Sequence, residues 1–325
     1  MPTETSILEV RYDEDLVEAV VLLVAHQMPK GVSSLQVARF HRARERLYNI
    51  LDPEERNDAF FRLHREWFRE WGLEAQLLDR VAEYPLLDTH LGLLAFRKAL
   101  TRKDQGAELY VNPEADTPAG ASAAGRRHGV VALSPPQWLD LESLKAFLRH
   151  ELMHLQDMVD PAFGYRPDVD DRVALAHRRR LVGERYRVLW DITIDGRLVR
   201  AGRATGATEA EHRALFDAAF SFWDEATRAR LFRELWSDPH PRHGTLLRLA
   251  ADPQGLWDAP RPAPGAPCPL CSMPTYAWSA REQVTPPILE AIRREFPDWT
   301  PEHGLCNRCL EAYEVRLRHA QAGLW

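Results

Sequence analysis

The sequence predicts an α+β chain, mostly helical, with one small antiparallel sheet near its middle and a small cysteine-bearing module at its C-terminal end. Three observations carry this expectation. Apolar residues recur three and four positions apart over most of the 325 residues, the spacing of helices with one buried stripe. Two short segments, Glu108 to Asn112 and Gly129 to Ser134, read as strands instead. All four cysteines lie near the C-terminal end, in two Cys-x-x-Cys pairs.

Residues 1–90 read as an N-terminal helical region. Asp13-Glu14-Asp15 precedes a helix holding the longest apolar run, Ala19 to Ala25, far short of the roughly 18 residues that argue for a membrane span. Val37, Phe40, Leu47 and Ile50, then Phe60, Phe61, Leu63, Trp67 and Phe68, keep helical spacing, so the aromatic stripe reads as core. Residues 91–205 hold both strands and the helix that follows them. Between the strands, Glu114 to Arg127 is rich in Ala, Gly, Pro and Ser and reads as a flexible loop placed to overhang a cleft. Asp140 can cap a helix whose Leu141, Leu144, Leu148, Leu152, Leu155 and Val159 form one stripe. That helix should end at Asp160-Pro161, because proline disfavours helical geometry in the residue before it. Residues 206–259 return to helix packed on this core, with Leu215, Phe216, Phe220, Phe222 and Trp223 as core candidates. In residues 260–325, a linker from Pro260 to Pro267 leads into the cysteine module.

Inside the capped helix stands His150-Glu151-Leu152-Met153-His154. Residues four apart on a helix lie one above the other, so both imidazoles can reach one metal ion. Taking about 100° per residue, both point roughly 140° from the centre of the apolar stripe. Glu151 stands where its carboxylate can take a proton from a water on that ion. Three protein ligands plus one open position are what separate a catalytic zinc site from a structural one, so a third ligand is needed.

From about His128 to Arg200 the chain resembles the zincin metallopeptidases, and the resemblance implies a zinc-dependent peptidase with Glu151 as general base. The run HELMHLQDMVD departs from the metzincin pattern HExxHxxGxxH, with Asp157 in place of its glycine and Asp160 in place of its third His. Zincins of the Spartan and SprT kind use a later His, and His177, followed by three arginines, matches that poorly. The stretch Trp190-Asp191-Ile192-Thr193-Ile194-Asp195 is similar to the Trp-Asn-x-Ala-x-Asp segment of metallopeptidases encoded beside von Willebrand A proteins. That likeness implies Asp195 as third ligand and Asp191 as an acceptor orienting a ligand His. A second reading stays open. Asp195-Gly196 flanked by apolar residues also reads as a hairpin turn, which would make Glu184 the leading ligand. Asp157 shares the His150 face and is placed to hydrogen-bond within the site. Tyr165, His177 and Tyr186 are candidates to stabilise an oxyanion.

Cys268-Pro-Leu-Cys271 and Cys306-Asn-Arg-Cys309 account for every cysteine. Without a secretory signal at the start, the pairs read as a four-thiolate structural zinc site rather than as disulfides. The second pair runs into a helix with Leu310, Tyr313 and Leu317 at apolar spacing, an order that resembles a treble clef. Two zinc ions are therefore expected, one catalytic and one structural.

Composition bounds the partners. A net charge of −6 argues against broad phosphate binding, and the terminal helix mixes Arg308, Arg316 and Arg318 with Glu311 and Glu314. A cytoplasmic protein without membrane segments, acting on a protein or peptide, is the expectation. Two other classes stay open: a DNA-associated protease of the SprT kind, and a non-catalytic zincin scaffold whose zinc module binds a protein.

Overall fold

The computed structural model describes residues 8–111, 127–166, 176–253, 265–279 and 283–321. It is α+β and mostly helical, and it divides into two units, Met1–Leu246 and Leu247–Trp325. Residues 1–90, 91–205 and most of the region read as 206–259 share the first unit, while residues 247–259 fall in the second with the proline-rich linker. The inter-strand loop at residues 114–126 and the start of the linker, residues 260–264, lie outside the described residues.

One four-stranded sheet organises the first unit. Its strands are β1 (Glu9–Tyr12), β2 (Leu93–Lys98), β3 (Gly106–Val111) and β4 (Arg127–Leu133), in the order β1-β2-β4-β3. β1, β2 and β4 run parallel, with Val10 beside Leu94 and Phe96 beside Val131; only β3, at the edge, is antiparallel, with Ala107 beside Val131. The sheet is therefore mixed rather than wholly antiparallel. The reason is connectivity: five helices separate β1 from β2, and such a crossover returns the chain parallel to its start. β1 falls inside the region read as helical, since a four-residue segment is too short to set a period.

The helices α1 (Glu14–Gln27), α2 (Ser34–Leu47), α3 (Pro53–Glu70), α4 (Leu73–Val81) and α5 (Pro85–His90) fill that crossover. Leu16, Val17, Val20, Val21 and Val24 of α1 are fully buried, in one core with Leu94 and Phe96 of β2 and Val131 and Leu133 of β4. The next helix, α6 (Leu141–Val159), adds Leu144, Leu148, Leu152 and Leu155 to the same core. Each such side chain contributes about 1.5–3 kcal/mol by leaving water. Gly129 of β4 permits the close approach, because a Cβ there would press on Leu91, Leu94 and Leu155 at 3.0–3.2 Å.

Both ends of α6 follow the sequence reading. The Asp140 carboxylate accepts from the Ser143 amide at 3.2 Å, and the helix stops at Val159 with Asp160 as its cap. Its middle is pinned as well. The Tyr84 hydroxyl donates to the Arg149 carbonyl at 2.7 Å, and Arg149 forks onto Glu83 at 2.8 and 3.1 Å. These bonds fix the turn that carries His150.

Beyond α6 come α7 (Ala176–Arg200), α8 (Glu209–Ala219), α9 (Glu225–Ser237) and α10 (His243–Ala251). α7 is continuous through Asp195-Gly196, so the hairpin reading of that dipeptide is overturned. Glycine serves contact there rather than turning: a Cβ on Gly196 would overlap the Trp236 carbonyl of α9. That close approach explains a residue costing about 1 kcal/mol in a helix interior. Among the described residues, no helix is long and apolar enough to cross a membrane.

The second unit has short bridges, Pro267 to Pro274 and Trp278 to Cys306, and the helices α11 (Pro286–Glu295) and α12 (Asn307–Gln321). Ile288, Ile292, Trp299, Leu305, Leu310 and Tyr313 form its small core.

Candidate metal centres

Helices α6 and α7 pack together, and each presents two polar residues four apart: His150 and His154 on one, Asp191 and Asp195 on the other. The four side chains mesh, but in different roles from those the resemblance implied. The Nε2 atoms of His150 and His154 lie 3.2 Å apart. Asp191 Oδ1 lies 3.0 Å from His154 Nε2 and 3.5 Å from His150 Nε2. A tetrahedral zinc with ligands at about 2.0–2.1 Å has ligand–ligand edges of about 3.3 Å. The three atoms make one face of such a tetrahedron and can hold a metal ion.

Asp195, the expected third ligand, is on the other side of His150. Its Oδ1 accepts from His150 Nδ1 at 2.7 Å, and its Oδ2 accepts from His212 Nε2 at 2.7 Å. An ionised carboxylate only accepts, so both ring nitrogens carry protons, and the Nδ1 proton on His150 commits Nε2 as the nitrogen for a metal. The two aspartates thus exchange the assignments given them from sequence: Asp191 converges with the imidazoles and Asp195 orients one. The reason is helical phase, which a family pattern does not specify. Glu184 is exposed and paired with Arg180 at 2.9 Å, so it is not gathered with the histidines. Asp160 bonds the Ala162 amide at the helix end.

His154 is braced by packing. Its ring meets Trp190 edge to face, with centroids 4.4 Å apart at 84°. Trp190 in turn donates from Nε1 to buried Asp157 at 2.7 Å, and Asp157 takes both prongs of Arg197 at 2.8 and 2.6 Å. Asp157 therefore hydrogen-bonds beside the site without joining the convergent atoms of His150, His154 and Asp191. Phe163, Tyr165 and Tyr186 complete an aromatic cluster around Trp190. Within it, the Tyr186 hydroxyl is bonded to His243 Nδ1 at 2.7 Å, and Tyr165 stacks on the indole. The side chain of His177 is outside the described residues.

Glu151 reaches the sheet. Its Oε2 accepts the Ala107 amide of edge strand β3 at 2.7 Å. That amide faces away from β4, so one carboxylate oxygen is clamped and Oε1 is left for another proton.

The local field favours a cation. Burial alone would lower the His150 pKa, but bonds to Asp191 and Asp195 outweigh it and raise it to about 10. Burial would likewise raise Asp191, yet its bonds to His150 and His154 hold it well below the usual carboxylate range. Asp195 is lowered against burial by His150 and His212.

The second candidate centre lies in the second unit. Cys268 Sγ and Cys309 Sγ are 3.9 Å apart, as are Cys271 and Cys306. Zinc–thiolate bonds of about 2.3 Å give tetrahedral edges of about 3.8 Å, so the four sulfurs fit a closed site. All four are free thiols gathered in one group. Burial raises the Cys268 thiol, but backbone amides of Cys306, Cys271 and Leu270 outweigh it and bring it to about 7.

No protein-family model, curated protein or solved structure matches the chain. The chemistry is therefore read from the two centres themselves. One residue of the first went unmarked in the sequence: His212, a lone histidine early in α8, fifty-eight positions after His154 by numbering (212 − 154). No motif flags it, and only the packing of α8 on α7 brings it to Asp195.

Proposed function

We propose that this chain is a zinc-dependent metallopeptidase that hydrolyses peptide bonds. His150, His154 and Asp191 would hold the catalytic zinc, and Cys268, Cys271, Cys306 and Cys309 a structural one. The observation that carries the reading is the convergent three-ligand face on α6 and α7, one residue in sequence from a carboxylate held on an edge strand. Zinc in such a position lowers the pKa of coordinated water towards about 7 and polarises a substrate carbonyl.

The chain's own residues supply the proton traffic. Glu151 is fixed through Oε2 by the Ala107 amide, so Oε1 accepts the proton of the attacking water and returns it to the amine nitrogen as the C–N bond breaks. Water supplies the new C–O bond, and no other reactant is needed. His150 keeps its ligand nitrogen aimed through Asp195, and His154 keeps its ring in place against Trp190.

The test is Glu151→Gln, which preserves an acceptor for Ala107 and removes the base. Zinc content should equal that of the unaltered chain, while peptide hydrolysis should fall by about 10²–10⁴-fold. Full turnover by the zinc-loaded variant would remove the role assigned to Glu151.

A further inference from the structure

We infer that His212 is a positioning residue for the metal centre, acting through Asp195 on His150. This rests on the reading of His150, His154 and Asp191 as the zinc ligands. Asp195 is only 1% exposed, and its two oxygens have one imidazole each. A buried carboxylate with a single partner would leave an unpaired acceptor, which is costly away from water. It would also be free to turn about its own bond and offer either oxygen to His150. His212 closes both possibilities by occupying Oδ2, which leaves Oδ1 for His150 and fixes the plane of the carboxylate.

The surroundings of His212 are built to hold it. Thr208 and Glu211 form a capping box: the Thr208 hydroxyl accepts from the Glu211 amide at 3.2 Å, and Glu211 Oε2 accepts from the Thr208 amide at 2.7 Å. His212 follows immediately, and its own amide donates to the Thr208 carbonyl at 3.1 Å, so it stands on the capped first turn of α8. Its ring is 5% exposed and lies 5.8 Å from the ring of Trp236 on α9. A histidine that merely filled this space would need no carboxylate at 2.7 Å. The arrangement is a relay of three hydrogen-bonded groups from three helices, ending on His150 Nδ1, across the ring from the ligand nitrogen Nε2. Outer partners of metal-bound histidines are worth about 10–100-fold in metal affinity, and His212 acts one residue further out.

The experiment compares His212→Leu with His212→Gln in the full chain, using zinc affinity by chelator competition and the visible spectrum of cobalt as probes. Glutamine keeps an N–H where Nε2 stood and leucine does not. The leucine variant should bind zinc about tenfold more weakly at the histidine–aspartate centre and shift the cobalt bands, while the glutamine variant stays within about threefold. Equal affinity in all three proteins overturns the inference, and so does equal loss in both variants, which would mark His212 as packing alone. Should the leucine variant fail to fold, nitrogen-15 NMR of the unaltered zinc-loaded chain decides: His212 Nε2 must carry a proton, and an unprotonated Nε2 overturns the inference. None of these readouts involves hydrolysis. A chain that binds zinc at His150 and His154 but cleaves nothing would defeat the proposed function and leave the role of His212 intact.

Discussion

The two candidate centres fit the same ion by opposite strategies. At the cysteine centre four candidate ligands come from two short knuckles, and among the described residues the core around them has six buried side chains. At the histidine centre three candidate ligands come from two long helices, and α6, which carries both histidines, is already fixed by a large apolar core, a capped N-terminus and the Arg149–Glu83 fork. The difference matches the two roles proposed for them, structural and catalytic. Where the fold does not hold the ligands, the ion must hold the fold, and every coordination position is filled. Where the fold already holds them, one position can be left for chemistry, and the neighbouring polar groups serve to aim ligands rather than to assemble them.

The largest expected effect breaks the cysteine centre. Cys309→Ser, or stripping the metal with a strong chelator, should unfold the second unit, since structural zinc contributes about 10–16 kcal/mol in small domains at neutral pH. Hydrogen exchange should show α11 and α12 losing protection while α1 and α6 keep theirs. If α11 and α12 stay protected in the metal-free protein, the small core of Ile288, Ile292, Trp299 and Tyr313 suffices alone and the contrast between the centres disappears.

A smaller effect divides the two aspartates. Asp191→Asn removes a group that converges with both imidazoles, and zinc affinity at the histidine centre should fall by more than about 100-fold. Asp195→Asn leaves all three ligands but loosens His150, for a loss of about 10–100-fold. Zinc titration of the two variants gives the order directly. If Asp195→Asn costs more, the assignment read from the family resemblance is the right one.

What the sequence made legible divides along a physical line. Features set within one helix were readable: the i, i+4 histidines, the Asp140 cap, the stop before Pro161, the stripe of leucines and the Cys-x-x-Cys spacing all depend on local period or local chemistry. Features set by how elements meet were not. The parallel pairing of β1 with β2 depends on 80 or so intervening residues, about the span between Val10 and Leu94. The exchanged roles of Asp191 and Asp195 depend on the rotation of α7 against α6, and a pattern that places both on one face cannot say which is nearer. Asp195-Gly196 is the sharpest case, because the dipeptide has strong turn chemistry and only the Trp236 carbonyl explains it as helix.

The smallest effect concerns acid, the simplest tool for setting the two centres against each other and one that also acts on the helical body. His64 is 1% exposed among the rings of Phe40 and Phe60, and its Nε2 has no hydrogen-bond partner among the described residues. Burial lowers its pKa from the ordinary 6.5; Glu18 pulls it back up and Arg44 pushes it further down. His243 is lowered too, by burial and by Arg166. Below about pH 6.5 the unfolded chain therefore takes up protons that the folded chain refuses, and stability present at neutral pH is lost as pH falls towards the folded pKa. Each such histidine contributes at most about 1.4 kcal/mol per pH unit in that window. His64→Leu removes one of them together with an orphaned polar atom, so the fall in stability between pH 7 and 5.5 should become shallower while stability at pH 7 holds or rises. Denaturant unfolding across that range measures the slope, and an unchanged slope would mean that His64 takes up its proton as readily in the folded chain as in the unfolded one. With that background removed, the acid sensitivity that remains can be compared between the cysteine and histidine centres.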